Sequence, residues 1–145
     1  MNRTLRGAVF ALLSATPLAA APVAQVVVSD AWFRALPGKL PAGGYFTLHN
    51  GTKATVALSG ADSAACGMLM LHKSESMGGM ASMSAVLSVN VAPGATLKFA
   101  PGGYHLMCME PRRALRRGAK IPVILLFADG REVAADFQVR GPNGR

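Results

Sequence analysis

The chain has 145 residues, 51% of them hydrophobic and only 15% charged, a length that suits one domain and a charge content too low for a coiled coil or a disordered chain. Its 16 glycines and 9 prolines are too many for a helix bundle and fit short strands joined by tight turns. The net charge of +8 points to an anionic partner, whose nature depends on the compartment.

Arg3 and Arg6 precede an apolar run from Gly7 to Leu18, and Ala19, Ala20 and Ala21 follow. This order of charged, apolar and small residues predicts a secretory signal peptide over 1–21. Its apolar run is shorter than a bilayer crossing requires. The rest, 22–145, reads as a single β domain, expected in the periplasm and as a monomer. Without Arg3 and Arg6, 13 of the 15 Lys and Arg side chains remain against 7 acidic ones, a balance of +6. An exported protein of this kind is not expected to meet nucleic acid. The charge would instead steer it to an acidic protein or to peripheral contact with an anionic membrane surface.

In chain order, Gln25 to Val28 opens the first strand, continued by Trp32, a predicted core anchor. Tyr45 to Leu48 forms the next. Asn50-Gly51 then predicts a hairpin turn, with Thr55 to Leu58 returning beside it. Met68 to Leu71 and Ser84 to Val91 follow, the latter ending at Pro93-Gly94. Ser76 to Met83 between them reads as a loop. Thr96 to Phe99, Tyr104 to Met109, Ile121 to Phe127 and Glu132 to Val139 complete about nine short strands, the pattern of an all-β sandwich or barrel. The linker Arg112 to Lys120 has room for one helical turn. Cys66 and Cys108 can pair in an oxidising compartment or remain as two buried thiols.

Methionine is concentrated in one window. Met68, Met70, Met77, Met80, Met83, Met107 and Met109 are all of the methionines beyond Met1, and His72 and His105 lie among them. Adaptable core filling explains Met68 and Met70 in an apolar strand. It explains Met77, Met80 and Met83 poorly, since these stand among Ser, Gly and Ala. Thioether sulfur is neutral and polarisable and favours Cu(I) over Zn, Mg or Ca. Neutral imidazole adds a stronger donor. Two of each would hold a monovalent d¹⁰ ion without added charge, and thioethers, unlike thiolates, suit an oxidising space. His105 and Met107 are two apart on a predicted strand and therefore leave the same face. Met109 continues that face, and Leu106 and Cys108 point to the other.

The spacing resembles that of the periplasmic Cu(A) chaperone family, PCu(A)C. The family pattern is a His, ten residues, a Met, twenty-one residues, then His-x-Met. Here His72, Met83, His105 and Met107 occupy all four positions. Asp30-Ala31-Trp32-x-Arg34-x-x-Pro37, Gly44-Tyr45-Phe46-Thr47-Leu48 and Pro101-Gly102-Gly103-Tyr104-His105 are also similar. The resemblance implies a cupredoxin-like β-sandwich with a surface Cu(I) site made by His72, Met83, His105 and Met107. It further implies delivery of copper to the Cu(A) centre of cytochrome c oxidase, with subunit II or another copper chaperone as the accepting protein. Two departures stand out. Many relatives carry a Met just after the first His, where this chain has Lys73, so Met77 or Met80 could substitute. Cys108 stands where relatives are usually aliphatic.

Other readings compete with delivery. Copper sequestration for tolerance would use the same residues. An electron-transfer cupredoxin needs a Cys ligand with two His, and no His follows Cys108. A plain β-sandwich binding module leaves the methionines unexplained. His49 reads as a surface hairpin residue. Arg112, Arg113, Arg116, Arg117 and Lys120 form a basic patch that is a solvated face or a dock for an acidic acceptor. No paired carboxylates, nucleophile elbow or phosphate loop is present, so an enzyme is not expected.

Overall fold

A computed structural model describes residues 25–145; the predicted signal peptide over 1–21 and the start of the domain at Pro22 lie outside the described residues. Ten strands follow one another: β1 (Val26–Arg34), β2 (Ala42–Asn50), β3 (Val56–Asp62), β4 (Met68–Met77), β5 (Met80–Ala85), β6 (Val89–Val91), β7 (Thr96–Phe99), β8 (Tyr104–Met109), β9 (Lys120–Phe127) and β10 (Glu132–Arg140). Among the described residues there is no helix, and Arg112 to Lys120 forms turns rather than a helical one. The all-β expectation holds, with ten strands instead of about nine.

The strands share one hydrogen-bonded path, β5-β4-β8-β2-β1-β10-β9-β3-β6, and β7 pairs with β2 off that path. Among the described strands only β1 and β10 pair in parallel. The path wraps around a core centred on Phe33, Phe46, Phe99 and Phe137, all at most 1% exposed. Phe46 stacks on Phe99 at 4.2 Å between ring centroids, and Phe33 meets Phe137 at 5.0 Å. Period-two alternation decides which residues enter the core. Ile121, Val123, Leu125 and Phe127 of β9 point inward, as do Leu69 and Leu71 of β4 and Leu106 and Cys108 of β8. The intervening residues of β4 and β8 are thereby turned outward.

Cys66 and Cys108 are bonded, with their Cα atoms 5.4 Å apart. The bridge ties the loop before β4 to β8, across the core side of the sheet. A cross-link of this kind contributes about 2–4 kcal/mol.

Four expectations are corrected. Asn50-Gly51 makes no hairpin, because β2 pairs with β1, β7 and β8, whereas β3 pairs with β6 and β9. Asn50 is fully buried. Its amide donates to the carbonyls of Ala54 (2.8 Å) and Val91 (2.9 Å), and its side-chain oxygen accepts from the backbone and hydroxyl of Thr52. It therefore organises a crossing from one part of the sheet to another. Gly51 is required by proximity, since a Cβ there would lie 2.7 Å from the Gln25 carbonyl oxygen. The segment Ser76 to Met83 is not a loop. β4 and β5 continue as a hairpin to a Gly78-Gly79 turn with φ of 59° and 80°, the primed geometry that two glycines allow. Ser84 to Val91 is divided between β5 and β6. Trp32 is half-buried and lies outside the core. The bulge between Ser29 and Trp32, with Asp30 at φ 51°, accompanies its placement on the outer face, where it packs on Tyr45 at 4.7 Å.

Candidate metal site

β4 and β8 are antiparallel neighbours in a register that sets His72 opposite His105 and Met70 opposite Met107. On the other side of β4, Met83 of β5 stands opposite Ser74. Ser74 is two residues from His72, so Met83 lies on the same face, one row beyond the histidines. The four residues picked out by spacing are thus collected on one outward face, from three adjacent strands. The Gly78-Gly79 turn is what returns Met83 to His72, and the Ala100–Gly103 turn, closed by a 3.0 Å backbone bond, is what delivers His105.

The two imidazole centroids are 5.8 Å apart with the rings inclined at 59°. A metal–imidazole bond of ~2 Å puts a ring centroid roughly 3 Å from the ion. Two rings on one ion then stand at most about 6 Å apart, so the observed separation fits a shared ion. His105 Nδ1 lies 3.0 Å from the Gly103 carbonyl oxygen. A carbonyl only accepts, so Nδ1 carries the proton and the lone pair is left on Nε2. This backbone contact fixes both the tautomer and the ring orientation.

His72 is held differently. Both its ring nitrogens are shut off from solvent, and neither has a hydrogen-bond partner among the described residues. A buried polar group left unpaired costs about 1–3 kcal/mol. Desolvation pulls the imidazole below its ordinary pKa, and the facing His105 lowers it further. Both effects favour the neutral ring, which is the form that donates to a metal.

Met83, His105 and Met107 line one shallow cleft together with Arg34, Tyr45 and Gly102. His72 does not line it and stands beside His105. An ion arriving through the cleft would meet two thioethers and one imidazole first, with His72 closing the set. Met83 is 53% exposed, whereas His105 is 4% exposed, so the sulfur on β5 is the most accessible donor. Tyr45 flanks His105 at 6.3 Å. A Cβ at Gly43 would lie 2.5 Å from the Tyr45 hydroxyl, so glycine lets that ring rest over the strand beside Met107. Arg34 covers the Tyr45 and Trp32 rings at 5.5 and 5.8 Å. This cation and aromatic wall on one side of the cleft was not singled out as part of the site from sequence; the Asp30-to-Pro37 stretch carried its signal.

The other candidates separate cleanly. Met77 and Met80 pair at the hairpin tip, where they are about three-quarters exposed. Alternation puts them on the hairpin face opposite Met83, so they do not replace a ligand in this cleft. Lys73 also faces away from His72. It pairs with Glu75 at 2.7 Å and lies over the Tyr104 ring at 5.5 Å. Cys108 is bridged and points into the core, so it offers no thiolate. His49 bonds to the Thr96 hydroxyl at 2.9 Å, on the part of β2 that pairs with β7. The exposed basic residues Arg112 to Lys120 follow Met109, at the end of β8 away from His105.

The chain is similar to known proteins over most of its described length. The family described as "Putative lipoprotein LpqE-like" matches residues 26–139. "Putative lipoprotein Lxx21020" of Leifsonia xyli subsp. xyli (strain CTCB07) is 36% identical over 106 residues, covering 72% of this chain and 63% of its own length. The chain thus spans less than two thirds of that relative. The copper-bound PCuAC domain from PmoF2 superposes with a TM-score of 0.66 at 22% identity, covering 81% of this chain and 93% of that domain. That likeness is one of fold, the cupredoxin-like β-sandwich expected from the sequence. The solution structure of CuI-DR1885 from Deinococcus radiodurans is 30% identical with a TM-score of 0.60, covering 84% of this chain and 80% of its own.

Proposed function

This chain belongs to the LpqE-like family, with PCuAC domains as structural neighbours, and from that premise we propose that it is a periplasmic copper chaperone that carries one Cu(I) on His72, Met83, His105 and Met107. The observation that carries the reading is the pairing of His72 with His105 across β4 and β8, with two thioethers on the same face. The buried nitrogens of His72, without a hydrogen-bond partner among the described residues, support the reading, since a neutral imidazole so placed keeps a lone pair for a metal.

Transfer needs no redox step. All four donors are neutral, and Cu(I) remains Cu(I) as each bond is exchanged for one from an acceptor. Met83, the most exposed donor, is the first to be displaced. A sulfur or nitrogen of the acceptor bonds to copper as the Met83 thioether leaves, and the less accessible imidazoles release last. His105 stays oriented by Gly103 throughout, and is therefore ready to take the next ion. The reading assigns no bond-making chemistry on an organic substrate. Delivery to the Cu(A) centre of cytochrome c oxidase, through subunit II or another chaperone, is part of the proposal. The electron-transfer alternative is disfavoured because both described cysteines are in the bridge.

An oxidising envelope compartment is supported by that bridge and by the lipoprotein description of the relative. The test is a competition titration with a Cu(I) chelator. Wild type should bind one ion tightly, and alanine at each of the four positions should weaken it. An unchanged affinity in His72→Ala and His105→Ala would reject the site. Transfer from the loaded protein to a purified oxidase copper domain, against retention, then separates delivery from storage.

A further inference from the structure

The outward face of β4 and β8 does not end at the four candidate ligands. One row beyond the histidines Met70 stands opposite Met107, and one row further Met68 stands opposite Met109. All four thioethers leave the same face as His72 and His105. None belongs to the core cluster, and Met68 is 57% exposed. Core filling, expected for Met68 and Met70, therefore does not account for them: they and Met109 lie outside the core cluster, Met68 exposed and Met70 and Met109 half-buried. Opposed residues in an antiparallel pair have their Cβ atoms ~4.5–5.5 Å apart and diagonal ones ~7–8 Å. The flexible methionine side chain spans those gaps, so three sulfurs can meet at a single soft ion. The strands that carry them are pinned from beneath, because Leu69 and Cys108 are register partners between these rows and Cys108 is bridged to Cys66.

We propose that Met68, Met70 and Met109 form a second Cu(I) site, weaker than the first and filled after it. The proposal rests on the reading of the His72 site as a Cu(I) site and extends it along the same sheet. With only neutral thioethers and no imidazole, the second site binds less tightly, which orders the two. β8 rises about 3.3 Å per residue, so Met109 lies roughly 13 Å along the strand from His105, next to the basic linker. Met107, opposite Met70 and already a ligand of the first site, stands between the two. An ion moving from one site to the other exchanges one thioether for another, with no change in oxidation state and no proton released.

The experiment is methyl NMR on the mature protein with labelled methionine, titrated anaerobically with Cu(I). The first equivalent should shift the Met83 and Met107 methyls and the ring signals of His72 and His105. The second should shift Met68, Met70 and Met109. The triple variant Met68→Leu, Met70→Leu, Met109→Leu preserves volume, and it should keep the first binding event within about threefold while losing the second. If a second equivalent leaves those three methyls in place, or moves Met77 and Met80 instead, the second site is wrong and the four-ligand site stands. If the first equivalent moves Met68, Met70 and Met109 while His72, His105 and Met83 stay still, the four-ligand reading fails and the ordering proposed here fails with it.

Discussion

Strands β4 and β8 have two faces that share a backbone but not a purpose. The inner face carries Leu69, Leu71, Leu106 and Cys108, all at most 9% exposed. The outer face carries Met70, His72, His105 and Met107, a row of soft donors. The inner set is held by burial and the disulfide. The outer set is positioned by strands that the inner set fixes, and His105 is held further by the Gly103 carbonyl. Stability and metal chemistry should therefore be separable by mutation at adjacent residues, since one position along a strand changes the face.

The largest effect should come from the outer face. His105→Ala is expected to weaken Cu(I) binding by at least about 100-fold, beyond the usual cost of losing an outer-shell partner, while His49→Ala leaves it unchanged. Chelator competition reads both, and equal losses would dissolve the distinction between the two histidines. Next comes the neighbour on the inner face. Leu106→Ala should cost about 2–5 kcal/mol in denaturant unfolding, with the Cu(I) affinity of the folded protein within a few-fold of wild type. A large loss of affinity in the folded variant would mean that the two faces are not separable.

Replacing Cys66 and Cys108 together by serine should remove about 2–4 kcal/mol and leave copper binding in the folded protein intact. Loss of binding at full folding would mean that the bridge itself holds the site in shape. A smaller effect is expected at the hairpin. Gly79 sits at φ 80°, so Gly79→Ala should cost on the order of 1 kcal/mol and loosen the placement of Met83, with Cu(I) weakened more than in Met77→Leu.

The smallest effect is in protonation. Burial and the facing His105 lower the pKa of His72, so in the copper-free protein its ring should titrate below the ordinary histidine value. A lowered folded-state pKa means that the unfolded chain takes up the proton first as pH falls. The neutral ring's contribution is thus lost on acidification below the ordinary value, and the donor lone pair survives into mildly acidic solution. Histidine ring NMR measures the midpoint directly; a midpoint at or above the ordinary value would show that the ring is solvated.

Much of this was legible in the residues. Alternation in β8 placed His105, Met107 and Met109 on one face, because strand periodicity is a local property; that His72 and Met83 join them was implied only by the family resemblance. Long-range pairing was not legible. Asn50-Gly51 has the sequence of a hairpin turn, yet the buried Asn50 amide is occupied by Ala54 and Val91, and the chain crosses to another part of the sheet. Ser76 to Met83 has the composition of a loop, but its two central glycines close a turn and β4 and β5 pair with each other up to Met77 and Met80, so the segment extends as a hairpin. Trp32 has the size of a core residue. Its position beside a bulge, between the Tyr45 ring and the Arg140 guanidinium 4.8 Å away, depends on neighbours distant in the chain.

The central claim is that two imidazoles and two thioethers bind one cuprous ion. X-ray absorption at the copper edge, on protein loaded with a single equivalent of Cu(I), tests it most directly. Two nitrogen and two sulfur scatterers are expected, with one sulfur lost in Met83→Leu and one in Met107→Leu. A shell without sulfur, or one unchanged by both substitutions, would contradict the account.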